Sequence, residues 1–362
     1  MRSRRAFLKG AGAAGMAAPF THFPARALES TDAMPRRTGL VQTVLGPLEA
    51  SKLGVTLAHE HIADAPDVLS RWPKAWGGRA ELIARAVEKL KLLRAAGVDT
   101  IVDLTPYDVG RDIRFLQEVS RKSGLNMIAC TGQRFFPPQD PHIPMPAGTI
   151  AGLAEFFQKE IEQGIDGTAI KAGVIKIGII TNRPTALEEI GLRAAARASK
   201  RAGVPIRTHT NAALRAGESH AAILEDESVN PARVSLDHSD GSGEMDYFLG
   251  LVKRGYCLGM DHVHRGAADA KPSFERRADC IKQLVDAGFA KKVFLSQDAE
   301  FGGLLLPEEA RNWREKIDPP EGMLFTTQRM VPYLKKIGVS DSDIHTMTVE
   351  NPRSFFGQVA PR

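Results

Sequence analysis

The sequence predicts an α/β protein with one catalytic domain, a (β/α)8 TIM barrel, and three observations predict it. From about residue 40 onward, short apolar runs alternate with amphipathic stretches. Several of those stretches stop at a glycine before the next run begins, and no change of composition divides the chain. Strand, helix, glycine, strand is the rhythm of parallel βα units. Roughly eight such units without a break favour one closed barrel over a doubly wound sheet.

The elements follow in order. Gly54–Leu57, Thr100–Leu104, Met127–Cys130 and Val174–Ile177 are the first four runs. Pro205–Thr208, Val234–Leu236, Tyr256–Met260 and Val293–Ser296 are the second four. Each is too short for a helix, and several are β-branched, so they read as strands. Between them, Glu81–Ala96 spaces Leu82, Val87, Leu90 and Leu93 at near-helical intervals and stops before Gly97. Leu187–Ala202 before Gly203 and Phe274–Ala287 before Gly288 repeat the arrangement. The proline-rich stretch Phe135–Thr149 reads as a long loop after the third strand.

The 362 residues are 43% hydrophobic, enough for a large core. The formal charge of +5 has a local origin. Residues 1–27 carry Arg2, Arg4, Arg5, Lys9 and Arg26 and no acid, and the remaining 43 basic side chains balance 43 acidic ones. The excess therefore supports neither nucleic-acid nor membrane-surface binding. A charged start, the small apolar run Gly10–Phe20 and Ala25-Arg26-Ala27 are the three parts of a bacterial signal peptide. Arg4-Arg5-Ala6-Phe7-Leu8-Lys9 looks like the twin-arginine signal read by the export machinery for folded proteins. The expectation is a leader over residues 1–27, a linker over 28–39 and a barrel over 40–362. The cleaved product would be periplasmic or secreted, with no membrane segment. Cys130, Cys257 and Cys280 are odd in number and lack C-x-x-C spacing, which excludes a disulfide framework and a zinc knuckle. Cys130 and Cys257 sit in apolar runs and read as buried thiols.

Polar residues recur where these strands end, the face on which barrel enzymes assemble their sites. The first strand runs into His59-Glu60-His61, and residues two apart in a strand point the same way. The fourth strand buries Lys176 among Val174, Ile175 and Ile177, where a bare ammonium is costly. Later strands end in His209, His238 and Gln297-Asp298. Four imidazoles and a carboxylate suit a divalent zinc, cobalt or manganese ion. Gly241-Ser242-Gly243 is not the G-x-S-x-G elbow of a serine hydrolase.

H-x-H, then K, H, H and D on successive strands resembles the amidohydrolase superfamily, and within it the bacterial phosphotriesterase family with its lactonase relatives. The strings that carry the likeness include Gly46-Pro47-Leu48, Leu57-Ala58-His59-Glu60-His61, Gly110-Arg111-Asp112 and Ala172-Gly173-Val174-Ile175-Lys176. Thr208-His209-Thr210, His238-Ser239-Asp240, Met260-Asp261-His262 and Val349-Glu350-Asn351-Pro352 extend it from residue 40 to the end. The resemblance implies two divalent metal ions. His59, His61 and Asp298 would hold one, His209 and His238 the other. Lys176, carboxylated by carbon dioxide, and a hydroxide would be shared between them. It also implies that Asp298 accepts the proton of the attacking water, that His262 relays it outward, and that the protein forms a homodimer.

Departures from that pattern cluster at the substrate pocket. Gln133-Arg134-Phe135 stands where phosphotriesterases supply a tryptophan to the pocket wall. Gly241 replaces a second acid, Arg265 replaces a second histidine, and Ala299–Leu304 replaces an aromatic-rich stretch. Gln133, Arg134, Phe135 and Arg265 are thus the candidate substrate contacts, and the two arginines can clamp an anionic group. The expected activity is hydrolysis of a small-molecule ester, foremost a phosphotriester as in an aryldialkylphosphatase. A lactone or carboxyl ester is the alternative, a cyclic amide a third, and a non-catalytic periplasmic binding protein the reading from another class.

Overall fold

The computed structural model describes residues 39–62, 78–134, 148–179, 181–262, 272–299 and 321–357. The expected leader lies outside them, as do residues 28–38 of the expected linker, Phe135, Arg265 and residues 135–147 of the expected loop over 135–149.

A two-stranded antiparallel hairpin, β1 (Leu40–Thr43) and β2 (Gly46–Glu49), precedes the barrel. Eight parallel strands follow, each hydrogen-bonded to the next in chain order. They are β3 (Thr56–Glu60), β4 (Thr100–Asp103), β5 (Asn126–Gln133), β6 (Val174–Gly178), β7 (Ile206–His209), β8 (Val234–Asp237), β9 (Cys257–Met260) and β10 (Val293–Leu295). The barrel closes just beyond β10. Asp298 donates its backbone N–H to the His59 carbonyl at 3.0 Å, and His61 donates to the Ala299 carbonyl at 3.0 Å. A one-way sheet cannot bury both faces without helices between its strands, and the chain supplies them. They are α1 (Gly78–Ala95), α2 (Ile113–Ser123), α3 (Ile150–Glu162), α4 (Ala186–Ala202), α5 (Ala216–Asp226), α6 (Met245–Lys253) and α7 (Phe274–Asp286). Three short helices, α8 (Val331–Lys336), α9 (Asp341–His345) and α10 (Asn351–Phe356), finish the described chain.

The expected (β/α)8 barrel is therefore what the sequence forms. The three helices read from periodicity appear within a few residues of their expected bounds. Thr185 starts α4 with a capping box: its hydroxyl accepts from Glu188 N–H at 3.3 Å, and Glu188 Oε2 accepts from Thr185 N–H at 2.7 Å. Strand alternation sorts the core into two layers. Ile101, Met127, Ile175, Ile177 and Leu236 face outward against helix residues such as Leu90, Val119, Phe157 and Leu192. Val102, Ile128, Cys130, Val174, Cys257 and Phe294 face inward, and Val41, Leu53, Phe355 and Phe356 pack against them. This apolar plug fills the N-terminal half of the barrel and leaves the C-terminal half for polar side chains. All three cysteines are buried thiols. Among the described residues no helix is long and apolar enough to cross a membrane.

One buried group sets an acid limit on stability. His220 on α5 is fully buried, and neither ring nitrogen is hydrogen-bonded among the described residues. Burial pushes it down to about 4, against the opposing pull of Glu188. The unfolded chain titrates near 6.5, so it binds more protons than the folded one between pH ~6.5 and ~4. Stability from this group is complete above that window and falls as pH falls through it, by about 3 kcal/mol in all. Urea unfolding of a His220→Leu variant should show a correspondingly shallower loss between neutral and acid pH. Parallel acid limbs in the two proteins would rule the effect out.

Candidate metal centre

β3 carries the first two ligand candidates, and its geometry is less regular than an H-x-H pattern suggests. Leu57 packs in the outer, helix-facing cluster and Ala58 in the inner one. Plain alternation from Leu57 would turn His59 and His61 outward as well. The pairing of β3 with β4 shifts register between Leu57 and Glu60, and such an irregularity re-aims the side chains beyond it. Both imidazoles consequently reach the interior, with Nε2 of His61 at 3.2 Å and of His59 at 3.5 Å from Asp298 Oδ1.

On β6, Ile175 and Ile177 face the helices and leave Lys176 pointing inward, fully buried. Its Nζ lies 2.7 Å from His59 Nε2. The neighbouring strand β5 pairs Gly132 with Lys176, and at φ 125 any Cβ on Gly132 would collide with the Lys176 carbonyl oxygen. Only glycine permits this approach. His209, half-buried at the end of β7, sets Nδ1 at 2.8 Å from His238 Nε2. His238 and Asp298 follow the last residues of their strands in left-handed conformations, φ 61 and 50. Such conformations cost non-glycine residues on the order of 1–3 kcal/mol and gather at functional sites. Here the turn at His238 lets Asp237 and His238, adjacent in sequence, both serve the centre. His262 stacks on His238 with ring centroids 3.8 Å apart and sets Nε2 at 2.9 Å from Asp298 Oδ2.

A second ring of acceptors orients the first. Asp261 Oδ2 lies 2.9 Å from His59 Nδ1, and its Oδ1 lies 2.8 Å from both Nδ1 and the backbone nitrogen of His238. Asp237 Oδ2 is also 2.9 Å from His59 Nδ1. Thr105 Oγ1 is 2.8 Å from His61 Nδ1. With Nδ1–H committed outward, each Nε2 presents a lone pair to the centre, the arrangement metal-binding histidines adopt. The electrostatics agree. Burial holds His59, His209 and His238 well below the imidazole range, so they are neutral. Burial pushes Lys176 down to about 8 despite Asp237, Asp298 and Asp261. Burial alone would raise Asp298, but the charge that His59 takes on if protonated, together with hydrogen bonds from His262 and His61, outweighs it and holds the carboxyl well below the usual range. Burial raises Glu60 to about 8, although Ser296 Oγ at 2.6 Å and two backbone N–H groups donate to it.

These residues fit divalent ions. His59, His61 and Asp298 bring ligand atoms close enough for one ion, as do His238, His262 and Asp298. The neutral nitrogens His238 Nε2 and His209 Nδ1, facing each other at 2.8 Å, have lone pairs that one cation can share.

All six expected ligands thus gather at one end of the barrel, with His262 beside them. The expected substrate contacts divide. Gln133 is fully buried and shares strand parity with Ala129, which faces the helices. Arg134 follows it on the other parity, half-buried, its backbone N–H shared by both oxygens of Asp108 at 3.0 and 3.1 Å. Its charge acts on both Lys176 and His209. Next to Gly241, Asp240 is buried, accepting from the His262 N–H at 3.2 Å and from Arg277 at 2.9 Å. Sequence reasoning gave no role to Asp237, Asp261 or Thr105. The signal was an Asp directly preceding a strand-end His, twice.

Against known proteins, the Phosphotriesterase family pattern matches residues 39–356. The solved structure of the phosphotriesterase from Mycobacterium tuberculosis superposes with a TM-score of 0.78 at 35% identity, covering 88% of this chain and 98% of that one. An aryldialkylphosphatase of Saccharolobus solfataricus is 32% identical over 317 residues, 85% of this chain and 96% of its own length. A phospho-furanose lactonase of Mycoplasmopsis synoviae is 29% identical over 333 residues, 86% and 90% of the two chains.

Proposed function

This chain belongs to the phosphotriesterase family, and we propose that it is a binuclear metal-dependent hydrolase acting on small-molecule esters, foremost phosphotriesters. The observation that carries the reading is the convergence of His59, His61, Lys176, His209, His238 and Asp298, with Nδ1 of three of the imidazoles occupied from behind. His59, His61 and Asp298 would hold one ion, and His209 and His238 the other. Lys176, as a carbamate, would bridge the two. Zinc is the first expectation, with cobalt or manganese accepted by the same donors. When bound, the ions supply positive charge that polarises the ester oxygen and acidifies water. The remaining work falls to this chain's own groups. Asp298, kept ionised by the surrounding imidazoles, accepts the proton of the attacking water. His262 Nε2, 2.9 Å from Asp298 Oδ2, takes the proton onward, and its partial exposure gives it a route to solvent.

Arg134 favours a second reading of the substrate, an ester or lactone that carries an anionic group. Its charge reaches Lys176 and His209 from the strand that would line the pocket. The relative named for a phospho-furanose lactone has such a substrate in its name. Parallel initial rates of the metal-loaded protein on an aryl dialkyl phosphate, neutral lactones and a phosphorylated lactone test both readings. Triester turnover above lactone turnover supports the first, and the reverse supports the second. Under the second, Arg134→Ala should raise KM for the anionic substrate about 10- to 100-fold, the worth of one charged hydrogen bond, and leave KM for neutral esters unchanged. Equal effects on both would remove Arg134 from substrate selection.

A further inference from the structure

We propose that Arg207 is a positioning residue for the metal ligands, clamping the carboxylates of Asp237 and Asp261 against the back of His59 and His238. The inference rests on the metal-hydrolase reading above and extends it to a side chain that touches neither metal nor substrate.

Arg207 stands on β7 two residues before His209, so it enters the barrel one layer beneath the ligands. It is among the largest fully buried side chains of the protein. Its Nε donates to Asp237 Oδ2 at 2.8 Å, its Nη2 lies 3.8 Å from Asp261 Oδ2, and its guanidinium lies 5.0 Å from the Phe294 ring centroid. Neither terminal nitrogen makes a hydrogen bond among the described residues. Packing does not account for such a group. A buried guanidinium with open donors costs stability relative to an apolar chain of its size. Phe294 beneath it and Cys257 nearby belong to the apolar plug.

The two carboxylates explain it. Asp237 Oδ2 and Asp261 Oδ2 both stand 2.9 Å from His59 Nδ1. One N–H cannot satisfy two acceptors, and like charges meeting at one ring edge repel strongly where water is excluded. Arg207 is the cation behind them that offsets this repulsion. Each carboxylate is also pinned at its other oxygen: Ser235 Oγ donates to Asp237 Oδ1 at 2.7 Å, and the His238 N–H to Asp261 Oδ1 at 2.8 Å. Gly259 leaves room for the pair, since a Cβ there would collide with Asp261 Oδ2 and Asp237 Oδ1. So held, the carboxylates fix the rings of His59 and His238 with Nε2 toward the ligand centre. Outer partners of this kind typically change metal affinity about 10- to 100-fold.

Competition with a chromophoric chelator for zinc, and the absorption spectrum of the cobalt(II)-substituted protein, read the clamp apart from turnover. Thermal unfolding of the metal-stripped protein reads packing. Arg207→Met is expected to weaken zinc binding about 10- to 100-fold and to alter the cobalt spectrum. The double variant Arg207→Met/Asp237→Asn should recover most of the affinity, because Asp261 then has the His59 N–H to itself. Should Arg207→Met fail to fold, Arg207→Gln, which keeps a donor toward Asp237 but no charge, takes its place with the same outcomes. Wild-type affinity and spectrum with only a lowered Tm would overturn the proposal and leave Arg207 a packing residue. A wild-type protein that takes up no metal would overturn the metal-hydrolase reading and this inference with it; normal loading with an unresponsive Arg207 variant would overturn the inference alone.

Discussion

A Lys176→Ala variant is expected to lose metal and activity together, with kcat/KM down by about 10³-fold or more, ~4 kcal/mol of transition-state stabilisation. Lys176 is fully buried with Nζ 2.7 Å from His59 Nε2, yet burial holds it at about 8 rather than at an ordinary lysine value. A buried ammonium beside neutral imidazoles gains nothing as a ligand, because three donor hydrogens cannot coordinate a cation. A neutral amine is different: it is a nucleophile toward carbon dioxide, and the carbamate it forms is an anionic oxygen ligand. The depressed value sets the sign of the pH dependence. The neutral fraction grows as pH rises toward 8, so reconstitution of metal-free protein at a fixed concentration of dissolved carbon dioxide should quicken as pH rises from about 6 to 8, each carbamate formed releasing one proton to the buffer. Elemental analysis, initial rates and incorporation of isotopically labelled bicarbonate check the chain of reasoning in turn. A Lys176→Met variant retains the volume and separates packing loss from ligand loss. A Lys176→Ala protein holding two ions at full rate would end the carbamate reading.

Much of this centre is legible in the sequence, because two simple periodicities carry it. Short apolar runs separated by helices ending at glycine fixed a parallel barrel, and a barrel brings its strand ends together whatever the loops do. His59, His61, Lys176, His209, His238 and Asp298 therefore converge as soon as the strands are counted. What escaped the reading depends on breaks in those periodicities. Alternation assumes an unbroken ladder, and the register shift after Leu57 shows that H-x-H faces inward only because β3 is irregular. The left-handed turn at His238 likewise lets neighbouring Asp237 and His238 serve one centre, and the modest preference of histidine for such turns is too weak to announce it. Gln133 is a different case: likeness to the family places it at the pocket wall, whereas strand parity groups it with helix-facing Ala129 and gives Arg134 the other parity. Arg207 was invisible for a different reason. Nothing in the run Pro205–Thr208 marks its arginine as buried against carboxylates, because Asp237 and Asp261 reach it from other strands.

Asp298→Asn is the second change expected to have a large effect, and it separates charge from shape. Asp298 leaves β10 at φ 50, a conformation that asparagine tolerates as readily as aspartate. Its backbone N–H, which closes the barrel on His59, is untouched by the substitution. An amide of the same size can still bond His262 Nε2 through the 2.9 Å contact and still sit 3.2 Å from His61 Nε2. What it cannot do is carry negative charge toward a cation or accept a proton from water. The folded, metal-free variant should therefore unfold close to the wild-type temperature, while kcat falls by about 10²- to 10⁴-fold, the usual worth of a positioned general base. On the proposed reading, loss of a carboxylate ligand also weakens binding of the ion that His59 and His61 would share, so the comparison belongs at saturating metal as well as at limiting metal. If saturating metal restores the rate fully, Asp298 acts only as a ligand and the proton leaves by another route. If the rate stays low with both ions bound, the carboxylate itself takes the proton, and His262 is the group placed to carry it to solvent.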